Sequence, residues 1–176
     1  MIEFKANEGG SQGKDFLKFK SGDSHTGVFS GTLFDYKCHW INGRTEVCPD
    51  DGTCVACKTK RPAFKFRGNF IVKEGEGLVA KILEGGWELY SALGALHKDF
   101  PIDKNFIKIT RTGSTMNDTS YSALPVPNGA LSVEKLELVS KVKLHELVAK
   151  PTDKETPANM QNSAPPAINA EENLPF

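Results

Sequence analysis

Three features of the sequence predict a mainly β fold. Short stretches alternate apolar and polar residues, β-formers concentrate within them, and turn residues separate them at close intervals. The 176 residues, 39% hydrophobic and 25% charged, suffice for one core and not comfortably for two. Phe16-Leu17-Lys18-Phe19-Lys20 comes first, a strand signal with a basic edge. Gly27 to Tyr36 alternates over much of its length, as a half-buried strand does. Phe64 to Val72 carries β-formers with charges between them, and Gly75-Glu76-Gly77 supplies a hairpin turn before Leu78 to Leu83. A helix is predicted from Gly86 to His97, where Trp87, Tyr90, Leu93 and Leu96 fall three apart; Trp87 is assigned to its core face. Asn105 to Arg111 alternates again, and Tyr121 to Val126 reads as a last strand that Pro125 confines to an edge. Ser132 is a suitable N-cap for a second helix, although Lys135 to Leu144 fits alternation nearly as well. Five to seven short strands with one helix between the middle ones suggest a small barrel of the OB type, with a loop inserted at residues 36–60.

The expected boundaries are compositional. Residues 151–176 hold five prolines and few aromatic or β-branched residues, too little apolar surface to offset ordering entropy, and are read as a disordered tail. Residues 1–13, rich in Gly and polar residues, are read as a flexible start to a domain spanning 14–150. No apolar run is long enough to span a membrane, and the first residues lack the pattern of a secretory signal. Twenty-two basic and 22 acidic residues cancel, which excludes nucleic-acid binding by bulk charge alone. The balance is uneven, however. The tail carries Lys154 against Asp153, Glu155, Glu171 and Glu172, so the body is mildly basic and the end acidic.

All four cysteines, Cys38, Cys48, Cys54 and Cys57, fall within 20 residues, together with His39. In a reducing compartment clustered thiols are metal ligands more often than disulfides. Cys54-Val55-Ala56-Cys57 has the C-x2-C spacing that lets two thiolates meet one ion, and Pro49, Asp50, Asp51 and Gly52 supply the turns before it. One structural zinc is the expected cofactor, held by three thiolates and one imidazole from His39, Cys48, Cys54 and Cys57. An all-cysteine site using Cys38 is the alternative, because neighbours on a strand point to opposite faces and only one of the pair can reach the ion. A catalytic role is not expected. The deaminase pattern H-x-E with P-C-x-x-C is absent, as are H-E-x-x-H, G-x-S-x-G and a phosphate-binding Gly loop, so the chain reads as a non-enzyme.

Beyond Cys57 the run Lys58-Thr59-Lys60-Arg61-Pro62-Ala63-Phe64-Lys65-Phe66-Arg67 sets five cations and two aromatics together without an acid. Such interleaving suits single-stranded nucleic acid, in which cations follow the phosphates and rings stack on bases. Tyr36, Trp40 and Arg44 before the cysteines can share that face, and Arg111 and Tyr121 flank a polar loop at 112–119. Either Phe64 and Phe66 or Lys65 and Arg67 face the core of an alternating strand; if the rings do, the bases alone remain for binding.

The chain resembles the zinc-containing single-stranded DNA-binding (helix-destabilising) proteins of tailed bacteriophages. The resemblance runs through Phe16 to Ser24, His39-Trp40, the Cys48, Cys54 and Cys57 cluster, Phe106 to Gly113, and Thr119-Ser120-Tyr121. It implies an OB-fold with His39 and the three cysteines as ligands, and it implies Tyr36, Trp40, the basic strand and Arg111 near the DNA path. It further implies a phage protein in the bacterial host cytoplasm, acting in DNA replication, recombination or repair. The tail tip Glu171-Glu172-Asn173-Leu174-Pro175-Phe176 is similar to that of bacterial single-stranded DNA-binding proteins. That similarity implies docking of a polymerase, helicase-primase or recombinase. The rival readings are an RNA-binding OB-fold protein and a zinc-ribbon protein adaptor.

Overall fold

A computed structural model of the chain describes residues 15–115 and 118–149. The expected flexible start and the acidic tail, with Glu171, Glu172, Leu174, Pro175 and Phe176, lie outside the described residues. Within them, six strands form one antiparallel sheet: β1 (Ser24–Ile41), β2 (Arg44–Val47), β3 (Ala63–Glu74), β4 (Gly77–Gly85), β5 (Asn105–Thr112) and β6 (Ser120–Ala130). Helix α1 (Trp87–Asp99) joins β4 to β5, and α2 (Val133–Ser140) follows β6. None of the described helices is long and apolar enough to cross a membrane.

The strand order is β4-β3-β1-β5-β6, with β2 paired to the far end of β1. β1 is long enough to serve three neighbours. Ser24 to Gly27 pair with β5, Gly27 to Cys38 with β3 around an irregularity between Ser30 and Phe34, and Cys38 to Ile41 with β2. Where a small barrel of the OB type was expected, the described residues form an open sheet, with no pairing that joins β4 to β6. Pro125 and Pro127 have no N–H to offer a further strand, and α1 packs on β3, β4 and β6 where a closing strand pair would stand.

Both faces of the sheet are covered. On one, Phe29, Phe66, Phe70, Val72 and Leu83 pack with Leu89 and Leu93 of α1 and with Ile102, Ile107 and Ile109. On the other, Val28, Ile71 and Ala80 pack against Val139 of α2. This explains why β3 reads as a nearly continuous apolar run from Gly68 to Val72. Full burial of a ring such as Phe66 or Phe70 contributes on the order of 1.5–3 kcal/mol.

Two expectations change, and a third is settled. Phe16 to Lys20 is not a strand; it makes one parallel bridge, Phe16 to Ile82, and is then tied down by Arg111, whose Nη1 donates to the Phe19 carbonyl at 2.6 Å. Trp87 is 60% exposed, because the buried stripe of α1 runs through Leu89 and Leu93, four apart, with Tyr90 and Leu96 beside it. Of its two readings, the segment after Ser132 takes the helical one. It is helical to Ser140, capped by Ser132 Oγ accepting from the Lys135 N–H, and non-helical thereafter.

Residues 141–149 form a strap over the second face. Asn69 Nδ2 donates to the His145 carbonyl at 3.0 Å, and the His145 N–H donates to Asn69 Oδ1 at 2.8 Å. Arg67 Nη1 donates to the Val148 carbonyl at 2.6 Å.

Candidate metal centre and the surface around it

The segment expected as an inserted loop is a hairpin followed by a knuckle. Asn42 and Gly43 have φ of 50° and 79°, the left-handed pair that a two-residue hairpin turn requires. The turn folds β2 back on β1 and sets His39 opposite Glu46 and Cys38 opposite Val47. The Cys48 N–H then donates to the Lys37 carbonyl at 2.8 Å, and Lys37 Nζ bridges to Asp50 at 2.7 Å, which leads the chain back toward β1. Asp51 Oδ1 accepts from the backbone and hydroxyl of Thr53, closing a local turn. A 3-10 turn over Val55–Lys58, with the Cys57 N–H donating to the Cys54 carbonyl, brings the last two sulfurs to the same side.

The outcome is a four-donor cluster. One ligand atom each from His39, Cys48, Cys54 and Cys57 lies within 4.8 Å of all the others. The sulfurs of Cys48 and Cys57 are 3.5 Å apart, and His39 Nε2 is 3.4 Å from Cys54 Sγ and 3.3 Å from Cys57 Sγ. A tetrahedron with usual zinc bond lengths has edges of about 3.8 Å between sulfurs and about 3.6 Å from sulfur to nitrogen. The residues present therefore fit a tetrahedral ion that favours thiolate and imidazole, and zinc is compatible. The alternative with Cys38 is set aside: it is absent from the cluster, lying one position from His39 on β1 and so on the other face. Contact with Cys48 sulfur pushes the Cys57 thiol up to about 12, and the Cys57 backbone N–H is the chief cause of a lowered Cys54. A divalent cation at the centre would take the place of these shared protons.

The expected nucleic-acid residues divide into two groups. Trp40 is 51% exposed, and Lys58, Lys60 and Arg61 are exposed, with no ion pair to any of these three cations among the described residues. Arg44 is also exposed, held by Glu46 at 2.8 Å. Trp40 and Lys60, with Val47, Val55 and Thr59, line a groove of about 720 Å³ beside His39.

The second group is buried or half-buried and engaged by other residues of the fold. Phe66 has no exposed surface and belongs to the core, so the reading of this ring as a base-stacking platform is corrected. Tyr36 and Arg67 are buried as well, and they converge on Glu84. The Tyr36 hydroxyl donates to Oε2 at 2.9 Å, Arg67 Nε and Nη2 reach the same oxygen at 2.9 Å, and Lys65 Nζ reaches Oε1 at 3.3 Å. Burial by itself would raise the Glu84 carboxyl, but Lys65 and Arg67 outweigh it and hold the group below its ordinary value. Burial, then the Glu84 charge, raises the Tyr36 phenol. Tyr121 packs edge-on against Phe19 at 5.6 Å, and Arg111 holds Phe19 and Thr119. These side chains hold the fold together as they stand. Glu84, the organiser of the group, was not legible in the sequence. The β2 hairpin was, in its Asn42-Gly43 dipeptide.

Compared with family models, curated proteins and solved structures, the chain matches none. The class that fold and cluster define is a mainly β protein with a possible Cys3His metal centre on a hairpin at one end of its sheet.

Proposed function

We propose that the chain is a sequence-tolerant single-stranded DNA-binding protein whose binding surface is centred on the metal hairpin. One observation carries the reading: an exposed Trp40 stands on the hairpin whose knuckle bears Lys58, Lys60 and Arg61, three cations without internal partners among the described residues. Rings and cations in that relation supply stacking on bases and charge for phosphates, about 1–3 kcal/mol per stacked base. The zinc would fix the hairpin and knuckle that carry these groups and perform no chemistry. A long β1 shared by β3 and β5, with a helix entering between β4 and β5, supports an OB-type ancestry for the sheet despite its open edge.

On this reading the protein coats exposed strands during phage DNA replication, recombination or repair, in the host cytoplasm, and recruits partners through Glu171 to Phe176. Binding melts transient hairpins by mass action, because only an unpaired strand presents its bases to Trp40. The test is a tryptophan-fluorescence titration with single- and double-stranded oligonucleotides at several salt concentrations. Quenching by single strands alone is expected, with affinity falling by roughly 0.7 log units per tenfold rise in salt for each phosphate neutralised. Equal binding of duplex, or binding indifferent to salt, refutes the proposal. A preference for poly(U) over poly(dT) would move it to RNA.

A further inference from the structure

Only one nitrogen of His39 faces the cluster. Nε2 meets the sulfurs of Cys54 and Cys57, whereas Nδ1 is buried and has no hydrogen-bond partner among the described residues. Buried polar atoms left so are rare. For a metal-ligating histidine the case is rarer still, since its second nitrogen nearly always donates to a carboxylate, carbonyl or water, which fixes the tautomer and aims the ring. The residue directly across the strand pair is Glu46. Residues so opposed share a face with Cβ atoms about 4.5–5.5 Å apart, a separation that the length of a Glu side chain can span. Both residues line the same groove.

At present that carboxylate is held elsewhere. Arg44 Nε and Nη2 reach Glu46 Oε1 at 2.9 and 2.8 Å. The Arg44 side chain is 74% exposed, and an ion pair in such a setting holds weakly against water and salt. A buried imidazole nitrogen, unpartnered among the described residues, and a loosely held carboxylate therefore stand across one strand pair; with an ion on Nε2, Nδ1 carries the proton and is a donor. We infer that Glu46 is a positioning residue for the metal centre: it accepts from His39 Nδ1–H and aims the ring at the ion, while Arg44 competes for the same carboxylate. If the proposed function also holds, a strand phosphate drawing Arg44 away would release Glu46 to His39. Strand binding would then tighten the hold on the metal and, by linkage, the metal would tighten strand binding by the same factor.

The test is the rate at which zinc-loaded full-length protein loses zinc to a chromogenic chelator. Loss of an outer partner of this kind weakens metal affinity roughly 10–100-fold, so Glu46→Ala should lose zinc at least about tenfold faster. Arg44→Ala should lose it more slowly than the unaltered protein, and the double variant should behave as Glu46→Ala does. If Arg44→Ala instead accelerates loss as much as Glu46→Ala, the pair merely staples the hairpin and the inference fails. Nitrogen-15 NMR of the imidazoles in the unaltered zinc protein gives a reading free of any variant. A His39 Nδ1–H that is hydrogen-bonded and slow to exchange supports the assignment, and one in fast exchange overturns it. Adding an oligo(dT) strand should slow zinc loss in the unaltered protein and not in Glu46→Ala. If the strand binds without that effect, the Arg44 step is wrong. If no strand binds, the proposed function is at fault and the Glu46 result stands on its own.

Discussion

Cys38 and His39 differ by one position, and on a strand one position is a change of face. His39 turns toward the knuckle, while Cys38, 4% exposed, lies among Tyr36, Lys65 and Glu84, where burial raises its thiol and keeps it protonated. Removing Cys48, Cys54 or Cys57 should therefore leave a three-donor site, and each Ser variant should purify with far less than one zinc per chain. Cys38→Ala should retain a full equivalent, at a stability cost of about 1 kcal/mol for the lost packing of one sulfur. Metal content by mass spectrometry alongside urea unfolding separates the two outcomes; zinc lost from Cys38→Ala would return that residue to the ligand set. The ligand spacing was legible in the chain because thiolate chemistry needs only local turns. The choice between His39 and Cys38 was not, since it depends on which face the hairpin closes over.

Along β3 the difficulty is of the same kind but larger. Alternation locates the strand from residue 64 onward, yet it does not say which set of side chains faces inward when both sheet faces are covered. Phe66 packs under α1, and Arg67, pointing the other way, is covered by a strap whose Val148 lies 81 residues further along. No local pattern encodes that contact. Arg67 is buried and meets the Glu84 carboxylate at 2.9 Å, so Glu84→Gln removes that negative charge from beside a buried cation and should cost about 3–5 kcal/mol. The pH dependence carries a definite sign. Because the Glu84 carboxyl is held below its ordinary value in the fold, its contribution is complete above the unfolded carboxyl pKa and is lost as pH falls through the folded one. Urea unfolding from pH 7 down to pH 3 should show the native protein losing more stability than Glu84→Gln over that acid range. Parallel curves for the two would mean that Glu84 makes no net ionic contribution.

At the scale of the whole molecule, the strap ties the last described residues, 141–149, into the fold. Residues 141–149 satisfy Asn69 on both of its polar ends, accept from Arg67, and place His145 Nε2 2.8 Å from the Ala80 carbonyl. Ending the chain after Ser140 would strip partners from several buried groups at once, at about 1–3 kcal/mol each. Against a total stability of roughly 5–15 kcal/mol, that loss is a large share. Thermal unfolding of a chain ended at Ser140 should therefore show a much lowered midpoint or no cooperative transition, while a chain ended at Lys150 should melt as the full-length protein does. The two truncations also isolate the acidic end. The tail that composition reads as disordered carries the carboxylates Asp153, Glu155, Glu171 and Glu172 on 26 residues, which as a random coil would span on the order of 25–30 Å. If they compete with strand phosphates for Lys58, Lys60 and Arg61, the chain ended at Lys150 should bind single strands several-fold more tightly at low salt. The gain should vanish as salt screens tail and strand alike. A gain that persists at high salt would point to an apolar contact of the tail, and no gain at any salt would leave the tail without a part in strand binding.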